Sequence, residues 1–530
     1  MQLSADPRAT GTTVLWTIPI PRQAPRHLPY PFLRPGTSSH PVPQPRSAVH
    51  PLVMSNAVGA TQPVRVATQT HSGAAFTVWA VAFAVAVLVF EWQAVVPVWS
   101  VHTLSGIAAA AVILRPAAVW RTALLCGILG VEFISLLPNP YSAALLAHLT
   151  AAAVAVSWIV LRLRTPRIAR DPGAVFERIA PFLRLTFLLS WFLNAFAKLN
   201  TGFLLDIGTC APDFLDEIPV LRVPEQLYPA AAVAMLALEF AIPTLLLFRR
   251  TRSVGIVVAL GYYAVLTAGG NPSQAVLAWS ALLLFLPLGM LASAAATLRG
   301  WVPQDRRRSL RTALGSPWAL VVLSGMWLFA LEIDEFMSFE VAVRVSRWSA
   351  IAIGLGWLAL GAWLLIRLRE QFVRNPIPPV GLRVRDGVLI GALAIFIINA
   401  ASPYIGLKTD YSFDQYSNLR TESGHWNHLI LPEAVRLFDS QDHLVRFIHA
   451  KGDRQLVNTV ENKRDELVVL TDARRLVAQH PNGQVHYELD GEPRFAARLA
   501  DDPVLGAPVS PITELLGRWR RIPLDGDCQF

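Results

Sequence analysis

Phe182-Leu-Arg-Leu-Thr-Phe-Leu-Leu-Ser-Trp-Phe-Leu-Asn-Ala-Phe-Ala-Lys198-Leu-Asn200-Thr-Gly-Phe203 is an apolar run that ends on a lysine. Lys198 is the only lysine in the first 407 residues; the others are Lys408, Lys451 and Lys463. The run is long enough for a membrane helix, and an ionisable group at the edge of such a helix is costly enough to mark a functional candidate. A desolvated ammonium can give up its proton near neutral pH, which a guanidinium cannot. Codon bias toward arginine and a lysine snorkelling to the interface are the plainer explanations.

The chain around this run is hydrophobic throughout. Its 530 residues are 53% apolar and 16% charged, with a mean hydropathy of +0.42. A soluble domain carries nearer ~25% charged residues. The formal charge of +9 comes mostly from arginines between apolar runs, the pattern of cytoplasmic loops rather than of nucleic-acid binding. Three cysteines (Cys126, Cys210, Cys528) are too few for a disulfide scaffold or a zinc cluster.

Eleven spans are predicted, at about 74–91, 96–114, 119–137, 142–162, 179–199, 228–248, 253–269, 273–297, 317–333, 348–366 and 386–402. Arginines cluster after the fourth, sixth, eighth and tenth (Arg162 to Arg170, Arg249 to Arg252, Arg306 to Arg311, Arg367 to Arg385). The alternate loops carry Asp213, Asp216 and Glu217, or Glu332, Asp334 and Glu335. The positive-inside rule then puts the N-terminus in the cytoplasm and the C-terminus outside, with Arg344 and Arg347 as outer exceptions. The fold class expected is an all-α polytopic membrane bundle of about eleven transmembrane helices with a small β-rich extracytoplasmic C-terminal domain.

The domains follow. Residues 1–72 are proline-rich and expected to be disordered, and Met54 is a second candidate start. Residues 73–402 form the membrane domain. Residues 403–530 carry short alternating runs (444–448, 466–470, 485–489) separated by Pro481-Asn-Gly483 and Asp490-Gly491, hence a β-rich domain. Arg-, Ala- and Val-rich composition with few lysines suggests a bacterial plasma membrane, crossed many times.

Other polar residues stand out against this background. Glu239 lies mid-span, as a partner or proton relay for Lys198 or as a structural hydrogen bond. Glu132 and His148 lie toward the outer ends of the third and fourth spans and form a candidate polar pair. Tyr416, Asn418, Arg420, Glu422, His425 and His428 lie in one loop expected to pack over the outer mouth of the bundle. His425 and His428 could share a metal, but no third ligand stands at a telling spacing, so none is assigned. Cys210 and Cys528 both fall outside, where a disulfide is permitted.

Three segments together resemble the vitamin K-dependent gamma-carboxylase superfamily, closest to its bacterial HTTM (horizontally transferred transmembrane) branch. They are Lys198-Leu-Asn200-Thr-Gly-Phe203, then Gly406-Leu-Lys408-Thr with Tyr416-Ser-Asn-Leu-Arg-Thr-Glu422-Ser-Gly-His-Trp-Asn-His428, and Leu238-Glu239-Phe-Ala-Ile-Pro243 with its basic turn. The resemblance covers about residues 75–450. It implies a reduced quinone of the vitamin K or menaquinol type as cofactor, with a lysine that deprotonates it. That lysine falls on Lys198. The family carries a histidine in the helix after the glutamate, where this chain reads Gly261-Tyr262-Tyr263. That departure speaks against carboxylation of protein glutamates and leaves another quinone-linked reaction, or none.

Two other classes stay open. One is a transporter or channel whose path Glu132, Glu239 and Lys198 would line. The other is a non-catalytic scaffold whose external domain binds a protein or small-molecule partner.

Overall fold

The computed structural model describes residues 62–93, 101–137, 142–205, 210, 224–268, 272–300, 380–414, 416–452 and 454–524, with scattered positions between 348 and 366. The first helices are α1 (Gln62–Gln93), α2 (Val101–Leu114), α3 (Val119–Leu136), α4 (Ser142–Arg164), α5 (Pro172–Ala197) and the single turn α6 (Thr201–Leu204). Next come α7 (Tyr228–Leu247), α8 (Arg252–Ala268), α9 (Pro272–Leu282), α10 (Leu288–Gly300) and α11 (Gly387–Ala401). The predicted span at 317–333 lies outside the described residues.

Among the described residues, four helical stretches are long and apolar enough to cross a membrane: His71–Glu91, Leu145–Arg164, Pro172–Ala197 and Glu225–Leu247. Helices α9 and α10 make a fifth if counted together, but they meet at a bend of 115°. Shorter apolar helices include His102–Leu114, Arg252–Thr267 and Gly387–Ala401. Leu124, Val131 and Ile134 on α3, Leu163 on α4, Val257 on α8 and Ile398 on α11 are exposed. Apolar side chains on the outside of a helical bundle belong in lipid. The chain is a membrane protein by these measures.

Helix α1 starts eleven residues earlier than the expected disordered segment (1–72) allowed. Pro63 stands in its first turn, where a missing N–H costs nothing, and no proline follows before Pro97. Ser72, inside that supposedly disordered stretch, is buried and donates to Glu177 Oε1 at 2.9 Å. The bond ties the early part of α1 to the early part of α5.

Asp171 caps α5 by accepting the Gly173 N–H at 2.9 Å, with Pro172 at the first helical position. Asp386 does the same for α11 through the Val388 N–H, and also accepts from Ser157 Oγ and Arg178 Nε, each at 2.6 Å. One buried carboxylate thus joins α4, α5 and α11 at the end of α5 remote from Lys198.

The C-terminal region is α+β rather than only β-rich. Strands β1 (Leu444–Lys451), β2 (Glu466–Val469), β3 (Gln484–Leu489), β4 (Glu492–Ala496) and β5 (Ile522–Pro523) form an antiparallel sheet in the order β4-β3-β1-β2-β5. Helices α12 (Arg454–Glu461), α13 (Leu470–Ala478) and α14 (Pro511–Leu516) complete it. Alternation is a strand signal and shows the strands; α12 and α13, of eight and nine residues, stand between the strands and are not among the sequence expectations. Leu456, Val460, Ala473 and Val477 on them pack on Val445, Phe447 and Tyr487 of the sheet. Asp490 and Gly491 both take positive φ (52° and 84°), the conformation of a tight two-residue hairpin.

The tail folds back onto the segment after α11. Arg518 O accepts from Thr409 N and Asp410 N at 3.1 Å each, and Arg520 pairs with buried Asp414 at 2.9 Å.

Candidate functional site

Lys198 is the C-cap of α5, and its side chain is fully buried. Its Nζ lies 3.0 and 2.9 Å from the two carboxylate oxygens of Glu239 on α7. Tyr262 Oη on α8 donates to Glu239 Oε1 at 2.9 Å, and Asn194 Nδ2 donates to the same oxygen at 3.2 Å. Asn194 stands four residues before Lys198, hence on the same face of α5. The ammonium also sits 5.8 Å from the centroid of the Phe203 ring. The pair is neutral as a whole, and the carboxylate has several donors. That satisfies the usual condition for burying charges in an apolar bundle.

A cavity of about 220 Å³ opens beside the pair. Aromatic and apolar side chains line most of it: Trp79 and Phe83 from α1, Phe187 and Trp191 from α5, Tyr262 and Tyr263 from α8, and Phe413 and Tyr416 from the segment after α11. The Trp191 ring stands edge-on to Tyr262 at 5.0 Å and to Tyr263 at 5.5 Å. Lys198 and Glu239 are the charged members of this lining. Drug-sized pockets span about 300–1,000 Å³, so this one is scaled to a ring rather than to a peptide.

The Lys-Leu-Asn turn and the loop 416–431 meet directly. Leu429 N donates to Leu199 O at 2.9 Å, and Thr201 N donates to Asn427 O at 3.0 Å. Asn200 caps α6 through the Phe203 N–H at 2.8 Å, and its Nδ2 donates to Ala197 O and Ser417 O at 2.7 Å each. One buried asparagine therefore closes the end of α5 and holds the loop to it.

The loop is strained where it crosses the cavity. Tyr411, Phe413, Tyr416 and Asn418 all take φ between 50° and 62°. Bulky residues rarely adopt that region, and such strain gathers at functional sites. Phe413 and Tyr416 are the two that line the cavity.

The remaining loop residues have separate roles. Asn418 and Arg420 bond Asn427 through their backbones, and Glu422 is buried with its Oε2 accepting Thr421 N at 2.9 Å. Burial pushes the Glu422 carboxyl up and holds the Lys408 ammonium down to about 8, despite Asp414 and Asp410 nearby. His428 Nδ1 accepts from Ile430 N and Leu431 N at 3.2 and 3.0 Å, so Nε2 carries the proton that faces Phe196 O at 3.2 Å. Both ring nitrogens are thus used by backbone, which fits packing rather than metal binding. Burial lowers the pKa of His428, and burial followed by the Arg420 charge lowers that of His425.

Glu132 and His148 lie 3.4 Å apart, Oε1 to Nε2, on α3 and α4. Two residues join them: Glu91 near the end of α1 and His102 near the start of α2. The sequence signal for this grouping was positional, since alternating helices bring these four ends to one side. Tyr262 and Asn194 carried no comparable signal. Cys210 is disulfide-bonded and Cys126 is a buried free thiol. Cys528, the expected partner of Cys210, lies outside the described residues. Comparison with family models, with curated proteins and with solved structures finds no match to this chain.

Proposed function

We propose that this protein is a multi-pass membrane enzyme acting on a lipid-soluble quinol, with Lys198 as the base. The observation that carries this reading is a fully buried lysine, paired with Glu239, facing an aromatic cavity inside an apolar bundle. A quinol ring is apolar, flat and soluble in the bilayer, which suits walls made of tryptophan, tyrosine and phenylalanine. Its polar groups are two hydroxyls, one of which needs a proton acceptor.

The Lys198–Glu239 pair supplies that acceptor. A proton moved along the 2.9 Å contact leaves a neutral amine and a neutral acid at no change in net charge. The amine can then take the proton of a quinol hydroxyl, and Tyr262 and Asn194 keep Glu239 in place. The resulting quinolate is the species that reacts with dioxygen; quinol plus dioxygen gives quinone epoxide plus water. This is the chemistry implied by the resemblance to the HTTM branch of the vitamin K-dependent carboxylase superfamily. In the helix where that family carries a histidine, Tyr262 donates to Glu239 here. The proposal extends to about eleven crossings of a bacterial plasma membrane, with the C-terminal domain outside.

The test is to incubate the purified protein with reduced menaquinone and oxygen and follow epoxide by mass spectrometry. Wild type should make epoxide; Lys198→Ala and Lys198→Arg should not. Absence of epoxide and of menaquinol binding in folded wild type sinks the reading.

One observation favours a second reading, transport. The 115° bend between α9 and α10 is a broken span or a re-entrant loop, and broken helices flank many transport sites. Gln274, Ser280 and Leu284 bring that region into the cavity wall. A transport path needs charge at position 198 rather than a removable proton, so Lys198→Arg would retain transport and lose oxygenase activity.

A further inference from the structure

We infer that Glu91, Glu132 and His148 form a binding site for one divalent first-row transition-metal ion, with His102 as the residue that orients the carboxylates. One ligand atom from each of Glu91, Glu132 and His148 can be chosen so that all lie within 4.8 Å of one another, and the three residues are buried. Two carboxylates and an imidazole are a donor set suited to Zn²⁺, Mn²⁺ or Fe²⁺.

The hydrogen-bond inventory points the same way. Glu91 Oε2 lies 2.8 Å and Glu132 Oε1 2.5 Å from one nitrogen, His102 Nδ1. A ring nitrogen carries at most one proton, so it cannot donate fully to both. Among the described residues, Glu91 Oε1 and Glu132 Oε2 are buried and accept no hydrogen bond. Orphaned carboxylate oxygens inside an apolar bundle are expensive. A dication between them cancels both charges and uses the lone pairs that the protein leaves unfilled.

His102 has a different place. Its side chain is 19% exposed, whereas those of Glu91, Glu132 and His148 are at most 1%. It stands at hydrogen-bond distance from both carboxylates, which is how outer-shell groups hold metal ligands. It is also the most exposed of the four. The site and the Lys198 cavity share helices α1 and α4 but no residue. It does not rest on the quinol reading.

The full chain, purified in detergent and stripped with EDTA, is repleted with Zn²⁺, Mn²⁺ and Co²⁺ in turn and desalted. Metal content per chain is then measured by mass spectrometry, and melting temperature with and without ion. Wild type should retain one ion and melt higher with it. Glu132→Gln and His148→Ala should lose the ion, and His102→Ala should weaken it about 10–100-fold. Wild type that holds no stoichiometric ion and shows no metal-dependent melting overturns the site and leaves a network of shared protons. Retention of the ion by folded Glu132→Gln and His148→Ala alike overturns it too. If those variants do not fold, the wild-type metal content and melting shift decide.

Discussion

Among the described residues, two of the polar groups buried in the bundle solve one problem in opposite ways. Around Lys198, one cation meets one anion, and Glu239 is further held by Tyr262 and Asn194. Around His102, two carboxylates converge on one ring nitrogen and keep oxygens that accept nothing among the described residues. The first group is complete with protein atoms alone, so its geometry is set before any ligand arrives. The second is incomplete as a set of protein atoms, so it calls for something added. Charge balance, more than burial, separates a preorganised proton acceptor from a site for an ion.

The largest expected effect breaks the balanced group. Removing one partner of a buried ion pair strands the other, at a cost of about 3–5 kcal/mol. Lys198→Met and Glu239→Leu should each lower stability by that order, read from the shift in unfolding midpoint in detergent. The double variant should lose less than the sum, because no charge is left alone. Additive losses would show that the pair is not coupled as the 2.9 Å contact implies. The other group should respond in the opposite sense. In EDTA, Glu132→Gln removes one of two crowded negative charges, and its melting temperature should equal or exceed that of wild type.

Tyr262→Phe sharpens the same contrast at smaller scale. A hydrogen bond to a charged group contributes about 1.5–3 kcal/mol. Losing the Tyr262 hydroxyl should cost that order while leaving the cavity wall intact. Epoxide formation should fall further than menaquinol binding, because the hydroxyl holds the carboxylate and the ring forms the wall. Equal loss of both would assign Tyr262 to the wall alone.

Asn200→Ala comes next. The side chain caps α6 and donates to Ala197 O and Ser417 O. Loss of a cap alone costs about 0.5–2 kcal/mol. The loop 416–431 should exchange its amide protons faster, Leu429 first, since its N–H is donated to Leu199 O. Unchanged exchange at Leu429 would mean that the loop is held elsewhere, with the Arg520–Asp414 pair the next candidate.

The strands and the apolar helices were legible because periodicity and hydropathy report burial directly. Lys198 stood out because a lone lysine at the end of an apolar run has few cheap explanations. Glu239 was open in the sequence as a partner for Lys198 or as a structural hydrogen bond; choosing between them needed the fold, since the two residues are 41 positions apart and their contact depends on which faces of α5 and α7 meet. Ala- and Leu-rich helices present apolar side chains all round, so their pattern gives little hint of facing. Glu91 and His102 flank one interhelical segment, a positional signal only, and it takes the fold to show them meeting Glu132. The early start of α1 was missed because the prolines before Pro63 lent their character to the residues after it. Asp386 shows the limit from another side: as a helix cap it is ordinary, and only the fold brings Ser157 and Arg178 to it.

The smallest effect concerns the clamp that keeps the balanced site closed. His428 sits against the rings of Phe196 and Tyr404, and its Nδ1 accepts two backbone N–H groups. Protonation of Nδ1 would turn those two bonds into clashes of like partial charge. Burial holds its folded pKa below the ordinary histidine value of about 6.5, so between the two values the unfolded chain binds more protons than the folded one. Stability from His428 is therefore fully present above about pH 6.5 and drains away as pH falls through the lowered folded value. His425, also lowered, adds to the same slope. Exchange at Ile430 and Leu431 should accelerate on acidification from pH 7 to 5, beyond the intrinsic change in exchange chemistry, and His428→Ala should flatten that response. A variant with the full wild-type acid response would assign the slope to His425 and leave the clamp independent of pH at position 428.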